Sequence, residues 1–114
     1  MSAQKLILKT SKVPALYAQE GAADAIVHIK CFCPWSGWTW LITELDRTTN
    51  LAFGFAYNAQ DPEGAELGYI DLGELAAVRG PAGLRIERDT HFDPKPLSVA
   101  KAQECPGLFR PEYL

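Results

Sequence analysis

Apolar residues recur along this chain mostly with period two, and the breaks between runs fall on turn-forming residues. Ala25 to Cys33 is rich in Ile, Val and Phe and reads as a strand. Pro34-Trp35-Ser36-Gly37 is turn chemistry, and Trp38 to Leu45 reads as the next strand. Asp46 to Asn50 makes a second turn before a third strand, Leu51 to Tyr57. That strand places Phe53, Phe55 and Tyr57 on one side and Ala52, Gly54 and Ala56 on the other, where a backbone can approach closely. After the polar loop Asn58–Gly64, Glu66 to Leu72 reads as a fourth strand.

The helical signals are shorter. Leu6–Leu8 is a short apolar stretch, an initial strand or the lead-in to a helix. Thr10 to Pro14 looks like a helix start, the helix then running through Leu16-Tyr17-Ala18 and stopping near Gly21. Asp71 and Glu74 are spaced as a capping box for a short helix that ends at Gly80–Gly83. Leu84 to Phe92 alternates imperfectly, as an edge strand would, and Asp93-Pro94-Lys95-Pro96 cannot continue a ladder. Ser98 is placed to cap a last helix, Val99 to Glu104. Consecutive strands joined by short loops predict an α+β domain, an antiparallel meander of four to five strands flanked by short α-helices. At 114 residues the chain is one domain, 1–114, with a short C-terminal tail at 105–114.

Composition narrows the classes. A hydrophobic fraction of 47% with 22% charged residues is that of a soluble globular protein. A net charge of -3 makes direct nucleic-acid binding unexpected, since that needs a dense Lys/Arg patch. The three-residue run Leu6–Leu8 is too short for a signal peptide, and no stretch approaches the roughly 20 apolar residues of a membrane span. A cytoplasmic location and no membrane partner are expected. Among the three cysteines, Cys31 and Cys33 are one residue apart, off the spacing of zinc sites. Cys31, Cys33 and Cys105 are read as small buried hydrophobes and His28 as a hydrogen-bonded structural histidine, and neither a metal nor a cofactor is expected.

Two stretches could carry function. All three tryptophans fall within Trp35–Trp40. On simple alternation Trp38, Trp40, Ile42, Glu44 and Asp46 share one face, either a core with carboxylates reaching solvent or an aromatic floor with acidic lips. In Ile86–Phe92, Glu87, Asp89 and His91 would line one face and Arg88 the other. This is the pattern of a solvated edge strand, and also of a ligand or acid–base site. The chain has no Gly-x-Ser-x-Gly elbow, no His-Glu-x-x-His and no P-loop, which leans the reading away from an enzyme.

Leu16-Tyr17-Ala18, Trp38-Thr39-Trp40 with Thr43-Glu44, Glu66-Leu67-Gly68-Tyr69, Glu74-Leu75, Gly83-Leu84, Ile86-Glu87-Arg88-Asp89, His91-Phe92 and Pro94–Ser98 occur in an order that resembles the bacterial domain-of-unknown-function 2958 family. The likeness covers about residues 16–98. It implies small proteins of bacteria and their mobile genetic elements, with no activity attached. Cys31, Cys33 and Trp35 stand outside its pattern.

The expectation from residues and resemblance together is a non-catalytic binding protein acting on a protein or nucleoprotein partner, with a homo-oligomer also open. Its binding residues would be Trp35, Glu44, Glu66, Tyr69, Arg88 and His91, with Trp38 and Trp40 as framework. The alternative is a small metal-assisted or acid–base hydrolase using Glu44, Glu87, Asp89 and His91.

Overall fold

The aromatic strands form the middle of a five-stranded antiparallel sheet in the computed structural model, which describes Leu6 and residues 12–109. In chain order the elements are β1 (Ile26–Val27), β2 (Ile29–Phe32), β3 (Trp38–Asp46), β4 (Leu51–Asn58), β5 (Glu66–Asp71), α1 (Leu72–Ala77), β6 (Glu87–Arg88), β7 (Lys95–Pro96) and α2 (Leu97–Glu104). The sheet order is β5-β4-β3-β2-β6, and β1 pairs separately with β7. The architecture is α+β and mostly sheet, as the alternating pattern predicts.

Both sheet faces carry core packing. On one, Ile29, Cys31, Ile42, Leu45, Ala52 and Ile70 pack with Leu72 and Ala76 of α1, Ile86 and the half-buried Trp35 and Trp40. On the other, Leu41, Phe55 and Tyr57 pack with Val27, Leu97, Ala100 and Cys105, so that α2 lies over this side. Burial of this apolar surface is the main stabilising force. All three cysteines are buried, and desolvation pushes the Cys31 and Cys105 thiols up to about 12.

Several expectations are corrected. Simple alternation fails in β3: Ile42 pairs with Gly54 but Glu44 pairs with Phe53, so Thr43 is an extra residue in a β-bulge. One inserted residue flips every later side chain to the other face. Glu44 therefore leaves the face of Trp38, Trp40 and Ile42 and joins that of Leu41, Phe53 and Phe55. Residues 12–21 are not helical: 12–15 have no regular structure and 16–21 form turns, with Tyr17 and Gly21 at positive φ. The start of that expected helix, Thr10–Ser11, lies outside the described residues, as do residues 7 and 8 of the short apolar stretch, expected as a strand or a helix lead-in, and 110–114 of the tail.

The expected strand Ala25–Cys33 divides into β1 and β2, which serve different sheets. The expected edge strand Leu84–Phe92 narrows to β6, and Lys95–Pro96 does form a ladder, with Ile26–Val27. Pro96 is tolerated because this pairing is two residues long and Leu97 resumes donation, to Ala25 O at 2.8 Å. The Asp71 cap holds as predicted: its carboxylate accepts from Glu74 N at 3.1 Å. Ser98 instead lies inside the first turn of α2, whose N-terminus is capped from afar by Asp24.

The tryptophans exchange roles. Trp38, expected in the framework, is 41% exposed and stacks on Trp40 at 5.8 Å between ring centroids. Trp35, expected to be the exposed contact, is half-buried against the core, with Gly80 beneath its ring. A Cβ at Gly80 would lie 2.6 Å from the indole.

Candidate functional site

The bulge at Thr43 organises a pocket of about 660 Å³ on the α2 side of the sheet. Its floor is Thr43 and Glu44 of β3, Phe53 of β4, and Leu67 and Tyr69 of β5. One wall is the chain from Tyr17 to Ala25, and the other is Leu97, Ser98 and Lys101 of α2. Register explains the floor: Glu44 lies opposite Phe53 and Phe53 opposite Tyr69, while Leu67 lies opposite Phe55. Directly opposed residues share a sheet face. Phe53 and Tyr69 meet edge to face at 5.4 Å.

Glu44 is 5% exposed, and a carboxylate so buried needs partners. It has two: Oε1 accepts from Tyr17 N at 2.9 Å and Oε2 from Gln19 N at 2.6 Å. Bonds to an ionised acceptor are worth about 1.5–3 kcal/mol each. That offsets the left-handed backbone at Tyr17 (φ 70°), which costs a non-glycine residue about 1–2 kcal/mol. Gln19 completes the tie. Its Nε2 donates to Ile26 O and Thr43 O, both at 2.9 Å, and its Oε1 accepts from Ile26 N at 2.6 Å. The bulged residue is thereby satisfied outside the ladder, with Thr43 Oγ1 also donating to Phe53 O at 3.0 Å.

The other end of the wall is tied to α2. Asp24 Oδ1 accepts from Ser98 N at 2.9 Å and Oδ2 from Ser98 Oγ at 2.6 Å. The Ser98 bonds hold the Asp24 carboxyl below the usual carboxylate range. Lys101, one turn on, carries its Nζ 4.5 Å from the centroid of the Phe55 ring.

At the rim, the Tyr17 and Tyr69 hydroxyls are 2.9 Å apart, and the two residues are 60% and 55% exposed. The Tyr69 phenol is raised above its ordinary 10.0, first by that hydrogen bond, then by desolvation and by the negative charges around it, Glu20 and Glu44 included. The Tyr69 ring therefore stands as a neutral phenol at neutral pH.

Of the residues picked out in the sequence, this pocket unites Glu44 and Tyr69. Glu66 lies opposite Ala56, which puts it on the other sheet face from Tyr69. Trp35 packs beside α1, away from this site. Glu87 and Arg88 lie in β6, with β2 between them and β3. Asp89 pairs with Lys30 at 3.8 Å, and Lys30 also bonds Glu104 of α2 at 3.0 Å. His91 is exposed, its backbone N–H donating to Asp89 Oδ1 at 2.9 Å. The grouping Glu44, Glu87, Asp89 and His91 is thus split between the pocket floor and the far sheet edge. Among the described residues, no group of three or more His, Cys, Asp or Glu is arranged to hold a metal ion.

Tyr17, Gln19, Phe53, Leu67 and Lys101 complete the site without being among the sequence candidates. Tyr17 and Leu67 sit within the ordered motifs that carry the family resemblance, which was a usable signal. Gln19 had none, because its partners are 7 and 24 residues away.

Among the described residues, no helix is long and apolar enough to cross a membrane. No curated protein and no solved structure matches the chain. A family profile does match, over residues 3–104. The chain belongs to the family of proteins of unknown function DUF2958.

Proposed function

We propose that this chain is a non-catalytic binding protein of the bacterial cytosol and of mobile genetic elements, and that the pocket over β3–β5 receives part of a protein partner. The observation that carries this reading is where the apolar surface lies. Among the described residues, seven large hydrophobics are exposed, and Tyr17, Leu67 and Tyr69 of these gather at one concave opening. Clustered exposed aromatic and aliphatic side chains around a preformed cavity are the mark of a recognition site.

The polar groups beneath support binding over chemistry. The buried carboxylate and Gln19 hold the walls through backbone bonds, and every buried side-chain N or O atom among the described residues has a partner. A pocket built this way is rigid and preorganised, which lowers the entropic cost of association.

The reading is tested by affinity capture from the native host with the intact protein. Wild type and Leu84→Ser, an equally exposed leucine elsewhere, should retain the same protein, and Leu67→Ser and Tyr69→Ser should lose it. Circular dichroism and thermal melting verify that each variant folds. Retention by both pocket variants would overturn the proposal.

A further inference from the structure

We propose that the occupant of this pocket is a cationic side chain, lysine or arginine, presented by a basic segment of a protein partner. The inference rests on the pocket being a docking site and goes on to name the chemistry that fills it. Charge complementarity is the argument. The described lining holds three carboxylates, Glu20, Asp24 and Glu44, against one ammonium, Lys101. The Lys101 ammonium helps hold the Asp24 carboxyl low, and it rests over the Phe55 ring at the α2 end of the pocket. That leaves the tyrosine end negative: Glu20 is exposed at the rim, Glu44 lies buried beneath with both oxygens bonded to backbone, and the charge of each acts on the Tyr69 phenol.

Aromatic faces make the same selection. A guanidinium or ammonium is drawn to the face of a phenol ring, and its aliphatic stem packs on apolar surface. Tyr17 and Tyr69 supply exposed rings, with Phe53 and Leu67 beside them for the stem. The fold already uses this contact at the pocket wall, in the Lys101–Phe55 pair. An anionic group would meet carboxylates at the same opening, so a nucleic-acid phosphate is disfavoured.

The experiment is an NMR titration of the isotope-labelled intact protein with four fragments: N-acetyl-argininamide, N-acetyl-lysinamide, N-acetyl-leucinamide and N-acetyl-glutamic acid amide. A single-stranded thymidine oligonucleotide serves as a fifth probe. The two cationic fragments should shift the Gln19, Glu44, Leu67 and Tyr69 amides in a saturable way, and more strongly than the others. Added salt should weaken them, since the charges at the rim are screened. Tyr69→Leu should weaken argininamide by about two- to fivefold, the worth of an exposed cation–π contact. Glu20→Gln, a surface change, should reduce both affinity and salt dependence.

Leucinamide shifting the same amides as strongly would overturn the cationic occupant and leave the docking site standing. Oligonucleotide binding there in place of argininamide would replace the occupant with nucleic acid. No pocket shifts with any probe would overturn both proposals.

Discussion

Glu44 and Gln19 hold each other across 25 residues of chain. The Glu44 carboxylate accepts the Gln19 backbone N–H at 2.6 Å, and the Gln19 side chain donates to the carbonyl of Thr43, the residue before Glu44, at 2.9 Å. The pair closes the wall of the pocket onto its floor. Glu44→Gln removes the charge and turns an amide group toward a backbone donor, leaving one N–H poorly served. A loss of about 1–3 kcal/mol is expected. Hydrogen exchange should quicken at the Tyr17 and Gln19 amides ahead of those of β4. Unchanged exchange at both would show that this carboxylate is not the tie.

Gly54, opposite Ile42, lets the β3 backbone approach closely just before the bulge. A Cβ there would lie 2.1 Å from Leu41 O and 3.0 Å from Ile42 Cα, on the strand just before Thr43. Gly54→Ala must displace β3 backbone, and a cost of at least about 1–3 kcal/mol is expected in a denaturant melt. Gly68 lies directly opposite Gly54 on β5 with nothing within 4 Å of its added Cβ, so Gly68→Ala should stay within about 1 kcal/mol.

Much of the sheet was legible in the sequence because its signals are local. Turn residues at 46–50 and 58–64 and the aromatic alternation of β4 specify a meander without reference to anything distant. The Asp71–Glu74 cap is local too, and it holds. The missed features depend on partners far along the chain. Residues 12–21 have helix-start chemistry, yet Glu44 and Leu45 take the backbone groups a helix would use: Leu45 N donates to Pro14 O at 2.8 Å. Ser98 resembles a cap, yet Asp24, 74 residues earlier, supplies it. The bulge is the most consequential omission. It leaves no side-chain signature at Thr43, and it alone decides that Glu44 faces Tyr69 and not Trp40.

The Asp24–Ser98 bonds carry a pH signature. The Asp24 carboxyl is held below 3.8, so it stays ionised in the folded chain at pH values where the unfolded chain begins to take up the proton. Its contribution is complete above about 3.8 and is lost as pH falls from there through the lower folded value. In acid-range denaturation curves, wild type should lose stability over that window, and Asp24→Asn should start lower and show a flatter dependence.

The tyrosine pair is open to direct titration. Because the Tyr17 hydrogen bond is the largest cause of the raised Tyr69 phenol, Tyr17→Phe should move Tyr69 down toward 10.0. Glu20→Gln should move it in the same direction by less. Phenolate absorbance against pH reads both, and an unmoved Tyr69 in Tyr17→Phe would contradict the 2.9 Å contact.

Photo-crosslinking in the native host tests the central claim most directly. Leu67 and Leu84 are 49% and 42% exposed, and of the two only Leu67 lines the pocket. With p-benzoylphenylalanine placed at one or the other, irradiation should give a discrete protein adduct at position 67 and none at 84. An adduct at 84 alone, or at neither, would contradict the pocket as the place where this protein meets its partner.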